Sequence, residues 1–140
     1  MSLRLTKSWA ATVLATLVAC SSGKKARVAG DPSDVALQFT TALLHRDYAR
    51  AYAMTSQEYQ RGTSLQQMRA GFEAIVPTAW STTAPPVVTQ TLADWPGKRA
   101  SDARWAYVGI SGDAYSEAVT VVVMLEGDTL RIRTVEFGRP

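Results

Sequence analysis

The chain has one cysteine and one histidine in 140 residues. A lone cysteine excludes an intramolecular disulfide, and a lone histidine without a second thiol excludes a zinc cluster built on His and Cys ligands. No Gly-rich phosphate loop, EF-hand pattern or nucleophile elbow occurs, and no Ser-His-Asp arrangement can be assembled, which disfavours a hydrolase. Long apolar runs are also missing. Beyond the N-terminal segment the longest is 121–125, whereas a membrane-spanning helix needs about 20 predominantly apolar residues. Charge is nearly balanced, with 15 Lys+Arg against 12 Asp+Glu, and two of the basic residues, Arg4 and Lys7, lie in the first segment. The remainder offers no basic excess of the kind that binds nucleic acid.

The most informative stretch ends at the single thiol. Arg4 and Lys7 make a positive start, residues 10–19 are mainly small and apolar, and Leu17-Val18-Ala19 leads into Cys20. This is the layout of a secretory signal. An aliphatic residue three before the cysteine and small residues next to it resemble the bacterial lipoprotein signal. That resemblance implies cleavage between Ala19 and Cys20, a diacylglycerol thioether on Cys20, and fatty chains such as palmitate holding the protein on a bilayer. Two or three chains anchor firmly, each buried methylene contributing about 0.8 kcal/mol. Ser21, where an Asp would favour inner-membrane retention, implies the outer membrane in a Gram-negative cell. An ordinary signal peptide with an incidental cysteine is the competing reading.

The chain therefore divides into a signal peptide at 1–19, a tether at 20–31 and one domain at 32–140, a size that buries a core without staples. The tether is small, polar and basic, and Lys24, Lys25 and Arg27 suit either a solvated linker or anionic lipid. Three helices are expected first. Asp31 or Ser33 caps the first, with Pro32 in its opening turn and Val35, Phe39, Ala42 and Leu43 at helical spacing. Asp47 caps a short second helix, 48–55. Residues 57–62 read as a polar connection with room for a helical turn. Ser64 and Gln67 form a capping box for the third helix, and Pro77 ends it.

After Pro85-Pro86 the period becomes two. Strands are expected at 87–92, 104–110, 117–125 and 130–137, joined by turn signals at Pro96-Gly97, Ser111-Gly112-Asp113 and Gly127-Asp128. Short connections make the sheet antiparallel. The valine-rich third strand is apolar on both faces and belongs in the interior of the sheet. The result is an α+β domain, three N-terminal helices packed on a curved four-stranded antiparallel sheet.

The segments Ala36-Leu37-Gln38-Phe39, Ala42-Leu43, Asp47-Tyr48-Ala49-Arg50-Ala51-Tyr52 and 65–72, with the valine-rich C-terminal strands, resemble the NTF2-like (cystatin-like, SnoaL-type) superfamily, in particular its short bacterial envelope lipoproteins. The resemblance covers roughly 32–140 and implies a cone formed by a sheet wrapped around a long helix. That superfamily contains both enzymes and non-catalytic modules, so the fold leaves the function open.

Each candidate group has a structural explanation. His45 lies at a helix C-terminus, where a cation is favoured. Asp47 with Tyr48 and Tyr52 is similar to the acid-plus-tyrosine set of isomerase-type members, but a helix cap accounts for the carboxylate. Asp102, Asp113 and Asp128 sit in turn-like sequence. Arg104, Arg131 and Arg133 suit either an anionic ligand or, as the favoured reading, a solvated sheet face balanced by Glu117. Trp105 reads as core, whereas Trp80 and Trp95 lie in loops and suit a pocket rim or interface. Tyr48, Tyr52, Trp80, Trp95 and Trp105 are the pocket or interface candidates. No catalytic residue, metal or cofactor is expected.

The favoured function is a lipid-anchored envelope module that binds without catalysis, its partner an envelope protein or a small apolar ligand. The alternatives are an isomerase- or dehydratase-type enzyme using Asp47 or His45, and an accessory subunit of an envelope complex. Replacing Cys20 with Ser is expected to move the protein from the membrane to the soluble fraction without unfolding it. Fractionation of cells expressing the variant checks this, and a Cys20→Ser protein still pelleting with membranes contradicts it.

Overall fold

Caps set the helix boundaries. In the computed structural model, which describes residues 30–81 and 84–140, Asp31 accepts from the Ser33 amide at 2.7 Å and opens α1 (Pro32–Leu44). Asp47 accepts from the Arg50 amide at 3.1 Å and opens α2 (Tyr48–Ala53). The signal segment, the junction of Ala19 with Cys20 and nearly all of the tether lie outside the described residues.

The expected polar connection is itself a helix, α3 (Gln57–Gly62), so the described helices number four rather than three. None of its residues is buried, which is why no apolar stripe announced it. It exists because Ser56 accepts from the Tyr59 amide at 3.1 Å and Glu126 accepts from the Gln57 amide at 3.0 Å. The expected capping box opens α4 (Leu65–Ile75): Gln67 N donates to Ser64 Oγ at 3.1 Å and Ser64 N donates to Gln67 Oε1 at 2.8 Å.

Four strands follow, β1 (Val87–Leu92), β2 (Asp102–Ser111), β3 (Ser116–Glu126) and β4 (Thr129–Phe137), in spatial order β1-β2-β3-β4 with every pair antiparallel. The fold is α+β with an open four-stranded antiparallel sheet. α1 lies against all four strands. Between them Phe39, Leu43, Met68 and Phe72 meet Val119, Val121, Val123 and Ile132, all withdrawn from solvent. Burying one such side chain contributes roughly 1.5–3 kcal/mol, so this layer dominates stability. Gly71 belongs to it by default: a Cβ there would lie 2.7 Å from the Phe137 ring, which packs edge-on against Phe72.

Three bulges interrupt the ladders. Thr89, Ala103 and Arg133 are each extra residues without a partner in register. The bulge at Arg133 explains why simple alternation fails in β4. Leu130 and Ile132 face the core, but beyond the bulge Val135 and Phe137 do. A bulge also adds local twist, which bends a sheet.

The arginines correct the expectation of a solvated face balanced by Glu117. Arg133 Nε and a terminal nitrogen each reach an Asp102 carboxylate oxygen at 2.7 Å, crossing β3, with side chains 9% and 0% exposed. Asp102 is the first residue of β2 and not a turn residue. Glu117 pairs with Ile110 whereas Arg131 pairs with Met124, which puts Glu117 roughly 23 Å along β3 from the arginines. Arg131 instead donates to the Ala53 carbonyl at 2.6 Å, and Arg104 lies close enough to Asp31 to act on its carboxylate.

Burial works against the charged form of Asp102. The bonds from Arg133 and the Arg99 amide outweigh it and hold the carboxyl below its ordinary range. An exposed pair such as Arg99 with Glu58 adds little by comparison. Removing one partner of a buried pair strands the other charge, so Arg133→Met is expected to cost about 3 kcal/mol at neutral pH. Asp102 has a lower pKa folded than unfolded, so its stabilising share is complete above about pH 4 and drains away as pH falls through the folded value. Urea melts at pH 7 and pH 3 check this: the gap between wild type and variant should narrow at the lower pH.

Candidate functional site

The helix-facing side of the sheet is filled, so side chains able to meet a ligand must be sought elsewhere. Ala106, Val108 and Ile110 point into the core, and strand alternation sends Trp105 and Tyr107 to the opposite face. Trp105 is therefore not a core residue. It is half-buried on the uncovered face, its ring stacked on Tyr107 with centroids 6.4 Å apart and planes 23° apart. Periodicity alone gives which residues share a face but not which face the helices cover.

The two rings form one wall of an open groove of about 390 Å³. Its floor is a row in register across all four strands: Gln90 opposite Tyr107, Tyr107 opposite Thr120, Thr120 opposite Glu136. Residues 137–140 form the far rim. Gly109, next along β2 on the same face, allows the Thr89 bulge to close over it: a Cβ there would lie 3.3 Å from the Thr89 methyl. The Thr89 hydroxyl donates to the Tyr107 carbonyl at 3.3 Å and fixes that edge.

The other aromatic candidates are scattered. Trp80 is 39% exposed, stacks on Tyr115 at 5.2 Å and lines a second groove of about 560 Å³ with His45, Arg46 and Pro85. Trp95 is half-buried in the β1–β2 connection with the Lys98 ammonium 5.6 Å above its ring. Tyr52 donates to the Thr63 carbonyl at 2.8 Å and ties α2 to the start of α4. Tyr48 is buried in the core and donates to Glu73 at 3.0 Å. Of the five candidates, only Trp105 joins the sheet-face groove, and neither Tyr48 nor Tyr52 lines either groove.

Asp47 and His45 are both exposed, and Asp47 is engaged as the α2 cap. Sequence reasoning missed Arg46, which sits at φ 60, a costly region for a non-glycine residue. Its guanidinium repays the strain by donating to the carbonyls of Val76 and Pro77 at 3.0 and 3.1 Å and to the Tyr48 hydroxyl at 3.1 Å, above the Phe72 ring. It thus satisfies the end of α4, a structural role with partners some thirty residues distant. Burial raises the Tyr48 phenol pKa, and the bond it donates lowers that of Glu73.

Among the described residues, no group of three or more His, Cys, Asp or Glu side chains is placed to hold a metal ion, and no helix is long and apolar enough to cross a membrane. Comparison with known protein families, curated proteins and solved structures finds no match to this chain. Tyr48→Phe is expected to cost about 1 kcal/mol through the lost hydroxyl bonds. It should also let the Glu73 carboxyl pKa move back up toward its ordinary range, against the lowering that Arg69 still exerts, which carboxyl-carbon NMR titration reads directly.

Proposed function

We propose that this protein is an exported lipoprotein, anchored through acylated Cys20, whose NTF2-like domain acts by binding on its open sheet face and not by catalysis. The single observation that carries this reading is the division between the two faces of the sheet. Phe39, Leu43, Met68 and Phe72 occupy the space between helices and sheet. An isomerase-type site needs a carboxylate in an apolar cavity there. The one acidic residue that the resemblance offers, Asp47, points to solvent. The same packing argues against a small apolar ligand inside the cone.

The outer face supplies what the interior lacks: two stacked aromatic rings, a row of polar side chains and an open groove. Four helices preceding four antiparallel strands, with three bulges adding twist, accord with the cone that the resemblance implies. The lipid anchor rests on the Leu17–Cys20 pattern alone.

Two measurements test the reading. Intact-mass analysis of protein purified from its own membranes should show a chain beginning at Cys20 and carrying fatty chains. A photo-crosslinking amino acid at Tyr107 should form adducts in living cells, and one at Asp47 should form none. Adducts at position 47 alone, or a native chain starting elsewhere without acylation, overturn the corresponding half of the proposal.

A further inference from the structure

Resting on the reading of the outer sheet face as a binding surface, we infer that the Trp105–Tyr107 groove is a subsite for a neutral oligosaccharide. The inference starts from the polar row. Gln90, Tyr107, Thr120 and Glu136 lie side by side across four strands, a span of about 14 Å. Among the described residues, none of these four side chains is held by a hydrogen bond or ion pair. Thr120 is only 8% exposed, and its hydroxyl, which makes no hydrogen bond within the described residues, lines the groove and is free to bond a ligand. An amide, a phenol and a hydroxyl, each able to donate and accept, stand in one line with a carboxylate that accepts.

The second element is the wall. The Tyr107 ring, within that row, and the Trp105 ring next to it on β2 lie nearly parallel. Flat rings beside a line of hydrogen-bonding groups match a ligand with flat C–H faces and hydroxyls around its edge. A pyranose has both.

Charge and direction exclude the competitors. Among the side chains that line the groove, Glu136 is the one carboxylate and Arg139 the one guanidinium, so these side chains attract neither anions nor cations strongly. An acyl chain would cover Gln90, Thr120 and Glu136 without satisfying them, which is costly. An extended peptide would add along a sheet edge, whereas this row runs across the strands. A chain of sugar rings laid across the strands bonds each side chain in turn.

The test uses the full-length lipidated protein in zwitterionic detergent, titrated with chitotetraose and cellotetraose and followed by tryptophan fluorescence and calorimetry. Saturable binding of at least one probe is expected. Trp105→Ala should weaken it at least about tenfold, by analogy with the loss of one ring-stacking partner. Thr120→Val, which keeps the side-chain shape, should weaken it while circular dichroism stays native. Glu58→Gln on α3 is the unaffected control.

No saturable binding of either sugar, or equal binding by wild type, Trp105→Ala and Thr120→Val, overturns the inference. Concentration-dependent dimerisation that protects Trp105 from quenchers, or tight binding of a fatty-acid probe at this groove, also overturns it. In each of those cases crosslinking at Tyr107 and acylation of Cys20 stand or fall separately.

Discussion

A pleated strand sends alternate side chains to opposite faces, and the rest of this structure depends on that constraint. Val119, Val121 and Val123 are committed to the helices, so Ala118, Thr120 and Val122 must lie on the other side of the same strand. The described helices cover one face only. The uncovered face therefore carries side chains that tolerate water, Gln90, Thr120 and Glu136 among them, together with two large rings that no helix shields. The dry interior and the wet groove are two consequences of one alternation.

Polar interactions then fix what the apolar layer leaves loose. The Asp102–Arg133 pair spans β3 and ties β2 to β4. The Arg46 guanidinium ties the α1–α2 corner to the end of α4. β4 would otherwise be an open edge, but its outer side is partly occupied: Ser56 N donates to the Ile132 carbonyl and Ile132 N donates to the Met54 carbonyl. Among the described residues β1 has no such backbone partner on its outer side, and its edge is broken by the Thr89 bulge, a common way to discourage further strand pairing. A chain without disulfide bonds thus uses a few buried or strained polar groups at its joints.

Much of the fold is legible in the sequence because it is written in local chemistry. Asp31, Asp47 and the Ser64–Gln67 box mark helix starts by side chains acting on amides two or three residues away. The strands follow from alternation and turn signals. What escapes is non-local. Asp102 and Arg133 are separated by 31 residues, and nothing near either one marks it as paired. α3 has no apolar stripe and owes its place to Glu126 across the molecule. The alternation of Trp105 with apolar neighbours reads as core in the sequence. The helices cover the face of Ala106 and Val108 instead, and both are fully buried in the layer that α1 packs against. The groove itself is legible only once strand register is known, because its floor draws one residue from each strand.

The bulges give the sheet something like a reading frame. Each extra residue shifts by one which positions in the sequence point inward, so the strands after Thr89, Ala103 and Arg133 are read in a different phase from those before. A one-residue deletion elsewhere in a strand turns everything beyond it inside out. Deletion of a bulged residue restores uninterrupted pairing and leaves the downstream phase intact. Arg133 is not dispensable, since its guanidinium neutralises Asp102. Thr89 and Ala103 are thus the two positions in the sheet where the chain can change length by one and keep every other side chain on its own side.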